Sequence, residues 1–344
     1  MLPQGPIWQH LRQRALDTVP DGAFVPFRSP PTLESWLATG AFSVASSSQK
    51  KFILNASAPD IGAALLSDAC YHLDHAAEHS IGVRYQLSSG RWYSSAWCAV
   101  TFYYWAFYLT LALTRLLGHT AWFASKGRSS ALSTLSPGGT PSPGAGPYHV
   151  ICGPPLSASQ REVTLRKAGS TRLHDLVWQL WFQELRSALD LPTASKSSQP
   201  EQRLYLAQVR AANALGDTWP SDLRNLVNYA PGFGYGAVRR ETPVAPVFAS
   251  IAVDPAAPLP TVVDRIEANA GSLTAGQPLS QQVVVATRVL ADTCFILDLV
   301  TRTLTSEVID RRSVDVRWSR ARDAFLGSHS HRFSSAGWPF GVAA

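Results

Sequence analysis

The sequence predicts a mainly α-helical protein, a helical bundle with a small β-hairpin insertion and irregular, proline-rich connections. Apolar residues recur at three- and four-residue steps in several long segments, which is the period of an amphipathic helix. The chain is 46% hydrophobic and only 16% charged, so its composition is far from that of a disordered chain. Its 344 residues can form one large or two medium domains.

The N-terminal helical segment is expected over residues 1–124. Within it, residues 61–82 carry alanine and leucine on one helical face and three histidines on the other. A second helix is expected over 93–118, ending at Gly118, because glycine readily adopts the left-handed conformation of a helix C-terminus. These two helices should pack as an antiparallel pair.

Residues 125–147 consist mostly of Ser, Gly, Pro and Thr, which predicts a flexible linker. A helical segment that completes the bundle is expected over 148–240. It opens with two short β-prone runs, 148–152 and 163–166, which predict the small hairpin. Helices are then expected at three places, residues 172–190, 201–215 and a short helix that begins near Ser221.

The C-terminal helical segment, 241–344, begins with five prolines between 241 and 260, so regular structure is expected only beyond them. Helices are predicted at 261–270, 279–306 and 307–327. The segment 307–327 is rich in arginine, in a chain with a net charge of +6, and this predicts a basic helical face that binds nucleic acid. The alternative is an ordinary helix whose arginines are exposed to solvent. The candidate nucleic-acid-binding residues are Arg311, Arg312, Arg317, Arg320 and Arg332.

A cytoplasmic location is expected, since the N-terminus lacks the pattern of a signal peptide and the four cysteines are widely spaced. Residues 92–114 leave an alternative open. This stretch carries no charge and is long enough to cross a bilayer of about 30 Å. Its aromatic residues lie at the centre, whereas membrane helices carry Trp and Tyr at the two interfaces, so a buried helix is favoured over a membrane span.

The sequence contains no phosphate-binding glycine loop, nucleophile elbow, zinc-protease motif or EF-hand, and it predicts no cofactor. His72, His75 and His79 share one helical face with Glu78, a spacing that can hold a metal ion. Because no second cluster supplies a further ligand, a solvated polar face is the favoured interpretation and no metal is predicted.

Two arginine-containing pairs are candidate catalytic sites. Arg322 is followed by His329, and Arg224-Asn225 is followed by Tyr229. In a metal-independent ribonuclease a histidine moves the proton of the attacking 2′-hydroxyl or of the leaving oxygen, and an arginine stabilises the phosphate charge. Tyrosine is a poor base because its reference pKa is about 10. The alternative for the second pair is a helix N-terminus that holds the next loop.

Several segments together resemble HEPN-like proteins, and most of all the helical YaaC-like group found among prokaryotic stress and phage-defence genes. The resemblance covers residues 60–240, and it lies in 69–72, 75–79, 102–107 and 224–229. It implies a helical bundle, often dimeric, whose active members are metal-independent RNases with an Arg-x4–6-His motif at a dimer cleft. Tyr229 stands where that motif has histidine.

Three functional hypotheses follow from the sequence. The first is a HEPN-like component of a prokaryotic antiviral defence or stress-response system, either a metal-independent RNase or a subunit that binds RNA or another nucleic acid. The second is a non-catalytic scaffold or sensor subunit that works as a homodimer or with a partner protein encoded nearby. The third is a small integral membrane effector that uses residues 92–114.

Overall fold

The structure is a computed structural model that describes residues 4–26, 28–88, 95–137, 143–157, 159–229, 258–309 and 313–314. For 84–88, 95 and 313–314 it describes the backbone alone. Within these ranges the protein is mainly α-helical with a β component, as the sequence predicts. The ten described helices are α1 (Pro6–Thr18), α2 (Leu33–Thr39), α3 (Ala58–Ser88), α4 (Ser95–Leu116), α5 (Lys126–Thr134), α6 (Leu173–Leu189), α7 (Gln199–Leu215), α8 (Trp219–Tyr229), α9 (Leu259–Ser272) and α10 (Val283–Ile309).

Helix α4 lies at the centre of the main hydrophobic core. It packs against α3, α6, α8 and α10, which explains why its sequence lacks a charged face. Phe102, Trp105 and Phe107 are all buried. Residues Ala96–Leu116 are long and apolar enough to cross a membrane, but 72% of that stretch is covered by the protein itself, as expected for a core helix. The helix is followed by Gly118 at φ +75°, the left-handed position that its sequence predicts.

Five strands form one antiparallel sheet: β2 (Phe42–Ser47), β3 (Lys51–Ser57), β4 (His119–Ala124), β5 (Gly146–Pro155) and β6 (Gln160–Lys167). Their order in the sheet is β2-β3-β6-β5-β4. The predicted hairpin exists as β5 and β6, but the prediction of a small hairpin alone was too limited. Strand β4 does not alternate, because five of its six residues are buried, and a strand covered on both faces lacks the period that identifies strands in a sequence.

One face of this sheet packs on α2, on the start of α3 and on α5, through a second hydrophobic cluster that includes Phe52, Trp122 and Tyr148. Helix α5 lies inside the segment that the sequence predicts to be flexible, so that prediction was wrong for residues 126–134. Ser125 caps the helix by accepting a hydrogen bond from the Arg128 amide at 3.2 Å. Burial of Leu132 holds α5 against the rest of the molecule.

Two distant, buried charged side chains hold the ends of α1. At its N-terminus a carboxylate oxygen of Glu201 accepts the Trp8 amide hydrogen bond at 2.8 Å. At its C-terminus Arg161 donates to the carbonyl oxygen of Thr18 at 3.0 Å. A negative group at the first turn and a positive group at the last are the signs that the helix dipole favours. The position of α1 is therefore set by α7 and β6.

A short parallel pair joins β1 (Phe24–Val25) to β7 (Ser313–Val314). The predicted helix over 307–327 was therefore wrong at 313–314: α10 ends at Ile309, and the chain pairs with a strand near the N-terminus. Such a long-range pairing leaves no local period in the sequence. The predicted basic residues and the pair Arg322 and His329 lie outside the described residues.

Candidate functional site

Three side chains from three helices meet beside the central helix. Tyr103 of α4 lies with its hydroxyl oxygen 2.7 Å from Nδ1 of His174, the second residue of α6. A guanidinium nitrogen of Arg224, on α8, lies 3.4 Å from the same Nδ1. Tyr103 is buried, whereas His174 and Arg224 are partly exposed. This cluster, named the Arg224–His174 site below, therefore places a cation and an imidazole together at the edge of the core.

The imidazole of His174 is held by ring contacts and is uncharged at neutral pH. It stacks on Phe107 with ring centroids 4.3 Å apart and planes inclined by 8°. Burial, and then the positive charge of Arg224, lower the pKa of His174 to about 4. A neutral imidazole can accept a proton, so His174 is in the protonation state that a general base needs.

Tyr103 can select the tautomer of His174. If Nδ1 carries the proton and donates it to the Tyr103 oxygen, the Tyr103 hydroxyl can donate in turn to Ser221 Oγ, 3.4 Å away. The lone pair then lies on Nε2 of His174, and the Arg224 nitrogen, which can only donate, forms no hydrogen bond with Nδ1 in this tautomer. If Nδ1 instead accepts from Tyr103 or Arg224, the proton lies on Nε2. Burial raises the pKa of Tyr103 to about 12, so its hydroxyl remains protonated and can keep this chain of hydrogen bonds intact.

Arg224 keeps donor capacity for a further group. Its guanidinium lies 5.4 Å from the ring centre of Tyr103 and 6.0 Å from that of Tyr104. Within the described ranges it forms no ion pair, since the neighbouring Asp222 lies 3.6 Å from Arg172 instead. The Nε of Arg224 is buried and meets no hydrogen-bond partner among the described residues. A guanidinium that no carboxylate neutralises is suited to a phosphate.

The sequence-predicted residues are distributed unevenly around this site. Arg224 lies within it, whereas Tyr229, on the same helix, is 75% exposed. Asn225 is partly exposed and makes no described contact with Arg224. The histidine beside Arg224 is His174, fifty residues earlier in the chain, which sequence reasoning missed. Its only local signal is a polar ring in the first turn of a strongly amphipathic helix, which does not indicate a partner.

The three histidines of α3 stack on tyrosines of α4. His79 lies 5.6 Å from Tyr104 and 5.5 Å from Tyr108, with ring planes inclined by 19° and 16°. His75 lies 3.5 Å from the carboxylate of Glu78. Burial above all lowers the pKa of His72 and of His79. In the described part of the chain, no group of three or more His, Cys, Asp or Glu residues is arranged to hold a metal ion.

A second charged cluster, named the Glu184 cluster below, joins α1, α6 and β4. The carboxylate of Glu184 is 2% exposed; it accepts a hydrogen bond from Arg14 and lies 3.0 Å from Nε2 of His119. His10 lies 3.8 Å away. Burial alone would raise the pKa of Glu184, but the close approach of His119, together with the charge of Arg14, outweighs burial and lowers it.

No family model matches this chain, and no curated protein or solved structure is significantly similar to it.

Proposed function

We propose that this protein is a HEPN-like, metal-independent ribonuclease of a prokaryotic defence or stress-response system. It would cut RNA in the cytoplasm at the Arg224–His174 site. The observation that carries the proposal is the approach of the Arg224 guanidinium to within 3.4 Å of the His174 imidazole. Arginine and histidine are the two side chains that this chemistry needs, one for the phosphate charge and one for the proton.

The proposed reaction is a transesterification within the RNA chain. Nε2 of His174 takes the proton of the 2′-hydroxyl, and the 2′-oxygen attacks the adjacent phosphorus. The bond from phosphorus to the 5′-oxygen breaks, and the leaving oxygen takes a proton from water. The hydroxide that remains takes the proton from His174, which returns the imidazole to its neutral form. The products are a 2′,3′-cyclic phosphate and a free 5′-hydroxyl. Arg224 donates hydrogen bonds to the non-bridging oxygens, where negative charge increases in the transition state.

The bound phosphate would also adjust the basicity of His174. The charge of Arg224 contributes to the lowered pKa of that histidine, about 4, which makes it a weak base. A phosphate anion beside Arg224 offsets this charge and raises the pKa of His174 toward neutral pH, where general-base catalysis is most effective. His174 must be neutral to act, so cleavage is expected to increase as the pH rises through the pKa of the bound state and then to level off.

The test is cleavage of single-stranded RNA by the purified full-length chain. Arg224→Ala and His174→Gln should each lower the cleavage rate by about 10²- to 10⁴-fold, the usual contribution of a proton-transfer group or an oxyanion donor. Arg210→Ala is the matched control, since Arg210 is an exposed arginine on α7. Tyr229→Phe should leave the rate unchanged because Tyr229 is 75% exposed and makes no described contact with His174.

The melting temperature of each variant separates loss of chemistry from loss of folding. The proposal fails if purified protein cuts RNA and neither Arg224→Ala nor His174→Gln slows it. It also fails if the full-length chain, alone and as a homodimer, shows no cleavage of any RNA.

A non-catalytic scaffold or sensor subunit is the second candidate. Three exposed aromatic side chains favour it, since exposed Tyr and Trp are common at protein interfaces: Tyr71 is 58% exposed, Trp97 65% and Tyr229 75%. This function predicts that Trp97→Ala or Tyr229→Ala blocks assembly with a partner protein encoded nearby. It also predicts that His174→Gln does not change how well the protein protects cells against phage or stress. The reverse result favours the ribonuclease.

A further inference from the structure

Helix α4 is buried over most of its length, but Tyr104 and Tyr108 are partly exposed. The two residues are four apart and therefore share one helical face. Their ring neighbours on α3 include the imidazoles of His75 and His79. Most exposed parts of a helix carry charged side chains, whereas this part presents flat rings.

The rings form a continuous row. His79 stacks on both tyrosines, and His75 stacks on Tyr108 with centroids 5.1 Å apart and planes inclined by 24°. Tyr71 extends the row, because its ring lies edge-on to His75 at 4.5 Å. We name the five residues the aromatic track: Tyr71, His75, His79, Tyr104 and Tyr108.

The rings at the middle of the track are uncharged at neutral pH. Burial, more than any neighbouring charge, lowers the pKa of His79 and raises the pKa of Tyr108, so the neutral form of each is favoured. Glu78, the exposed acidic residue beside the track, pairs with His75. A row of partly exposed aromatic rings suits a ligand that stacks better than one held by charge alone.

The track leads to the Arg224–His174 site. The Arg224 guanidinium lies 6.0 Å from the ring centre of Tyr104, and the ring of Tyr104 is 5.2 Å from that of Tyr103, the partner of His174. A cation able to bind phosphate thus lies at one end of a row of stacking surfaces. Flat bases joined by phosphates are the chemical class that matches both features.

We infer that the aromatic track is a base-stacking subsite for single-stranded RNA, with Tyr104 and Tyr108 as its contact residues. The inference rests on the proposed ribonuclease function, because it assigns the path of that substrate. A base on Tyr104 leaves the adjoining phosphate beside Arg224. Duplex RNA is excluded from the track, since its bases are paired and stacked on one another.

The experiment measures binding without cleavage. A fluorescent 2′-O-methyl oligouridylate lacks the attacking hydroxyl, and an oligomer of the same length with abasic sugars has the same charge without bases. The full-length protein should bind the first more tightly than the second. Tyr104→Leu and Tyr108→Leu should each weaken binding of oligouridylate by about 5- to 150-fold, the range for one lost base–aromatic stack. Neither should change binding of the abasic oligomer.

Two controls isolate stacking. Tyr104→Phe keeps the ring and should bind oligouridylate as the wild type does. Phe123→Leu removes an exposed aromatic side chain from β4, which is not part of the track, and should also leave the affinity unchanged. Equal affinity of the wild type for the two oligomers overturns the inference, and this measurement does not depend on how well any variant folds. Unchanged affinity in both leucine variants, at an unchanged melting temperature, overturns it as well.

The outcomes separate this inference from the proposed function. If His174→Gln stops cleavage while the leucine variants bind and cut RNA normally, the ribonuclease proposal stands, and the assignment of the aromatic track as an RNA-binding subsite is wrong. If oligouridylate binds through the two tyrosines but His174→Gln and Arg224→Ala leave cleavage unchanged, the track stands and the catalytic assignment is wrong.

Discussion

The Glu184 cluster and the Arg224–His174 site are built from the same residue types and differ in charge balance. Each joins an arginine and a histidine from different elements at the edge of the main core. In the Glu184 cluster, the buried carboxylate of Glu184 lies between Arg14 and His119, so the charge of Arg14 is neutralised. In the second, no described carboxylate pairs with Arg224, and the imidazole stays uncharged.

This difference separates a structural role from the proposed functional one. A buried carboxylate must be paired, because an isolated charge away from water is very unfavourable, so the Glu184 cluster holds α1, α6 and β4 together. A partly exposed arginine without a carboxylate stabilises the fold little, but it can bind an incoming anion. Substitutions in the first cluster should therefore affect stability, and substitutions in the second should affect chemistry.

The largest effect on stability is expected for Glu184→Gln. The change keeps the side-chain volume but leaves the Arg14 guanidinium without its counter-charge, which should lower the free energy of unfolding by up to about 3–5 kcal/mol. Urea unfolding at pH 7.5 measures it. Glu307→Gln is the matched control, because the pair of Glu307 with Arg12 is partly exposed and should contribute less than about 1 kcal/mol. Equal, small effects of the two variants would contradict the structural role of the cluster.

A smaller effect is expected from acid, through His149 on β5. Burial, then the charges of His119 and Arg166, lower its pKa to about 3, whereas an unfolded histidine has a pKa of about 6.5. Between these values the unfolded chain binds more protons, so stability falls as the pH is lowered from 6.5 toward 3. One such histidine contributes up to about 1.4 kcal/mol per pH unit.

Replacing His149 tests this acid sensitivity. Chemical denaturation of His149→Gln between pH 8 and pH 4.5 should show a shallower loss of stability than the wild type. The measurement at pH 8, where the histidine is neutral in both states, gives the cost of the substitution itself. An identical pH slope in the two proteins would assign the acid sensitivity to other groups.

The smallest effect on stability is expected from substitutions at the Arg224–His174 site. The quantity to measure there is the pKa of His174. Arg224→Gln removes the second-largest cause of the lowered pKa of His174, so that pKa should rise from about 4 while burial keeps it below 6.5. Nuclear magnetic resonance titration of the imidazole measures the change. Arg210→Gln, an exposed arginine on α7, should leave it unchanged. If Arg224→Gln also leaves it unchanged, the two side chains are not coupled electrostatically.

The positions of the long helices could be predicted from the sequence, because helical periodicity is a local property. Residues 61–82, 172–190 and 201–215 fall within α3, α6 and α7 with small shifts at the ends. The uncharged stretch around Phe102–Phe107 predicts a helix covered by others, and α4 lies at the centre of the core. In these segments the local pattern and the tertiary environment agree.

Only the tertiary structure decided how distant segments meet. Strand β4 shows no alternation because both of its faces are covered, and α5 is held by a serine cap and one buried leucine within a segment of loop-like composition. His174 meets Arg224 across fifty residues, and Glu184 meets Arg14 across 170. By itself the sequence determined where the longest helices lie and which of their residues can be buried, since both depend on neighbours within a few turns. Which arginine is neutralised and which remains available depends on packing between elements, and no local spacing encodes it.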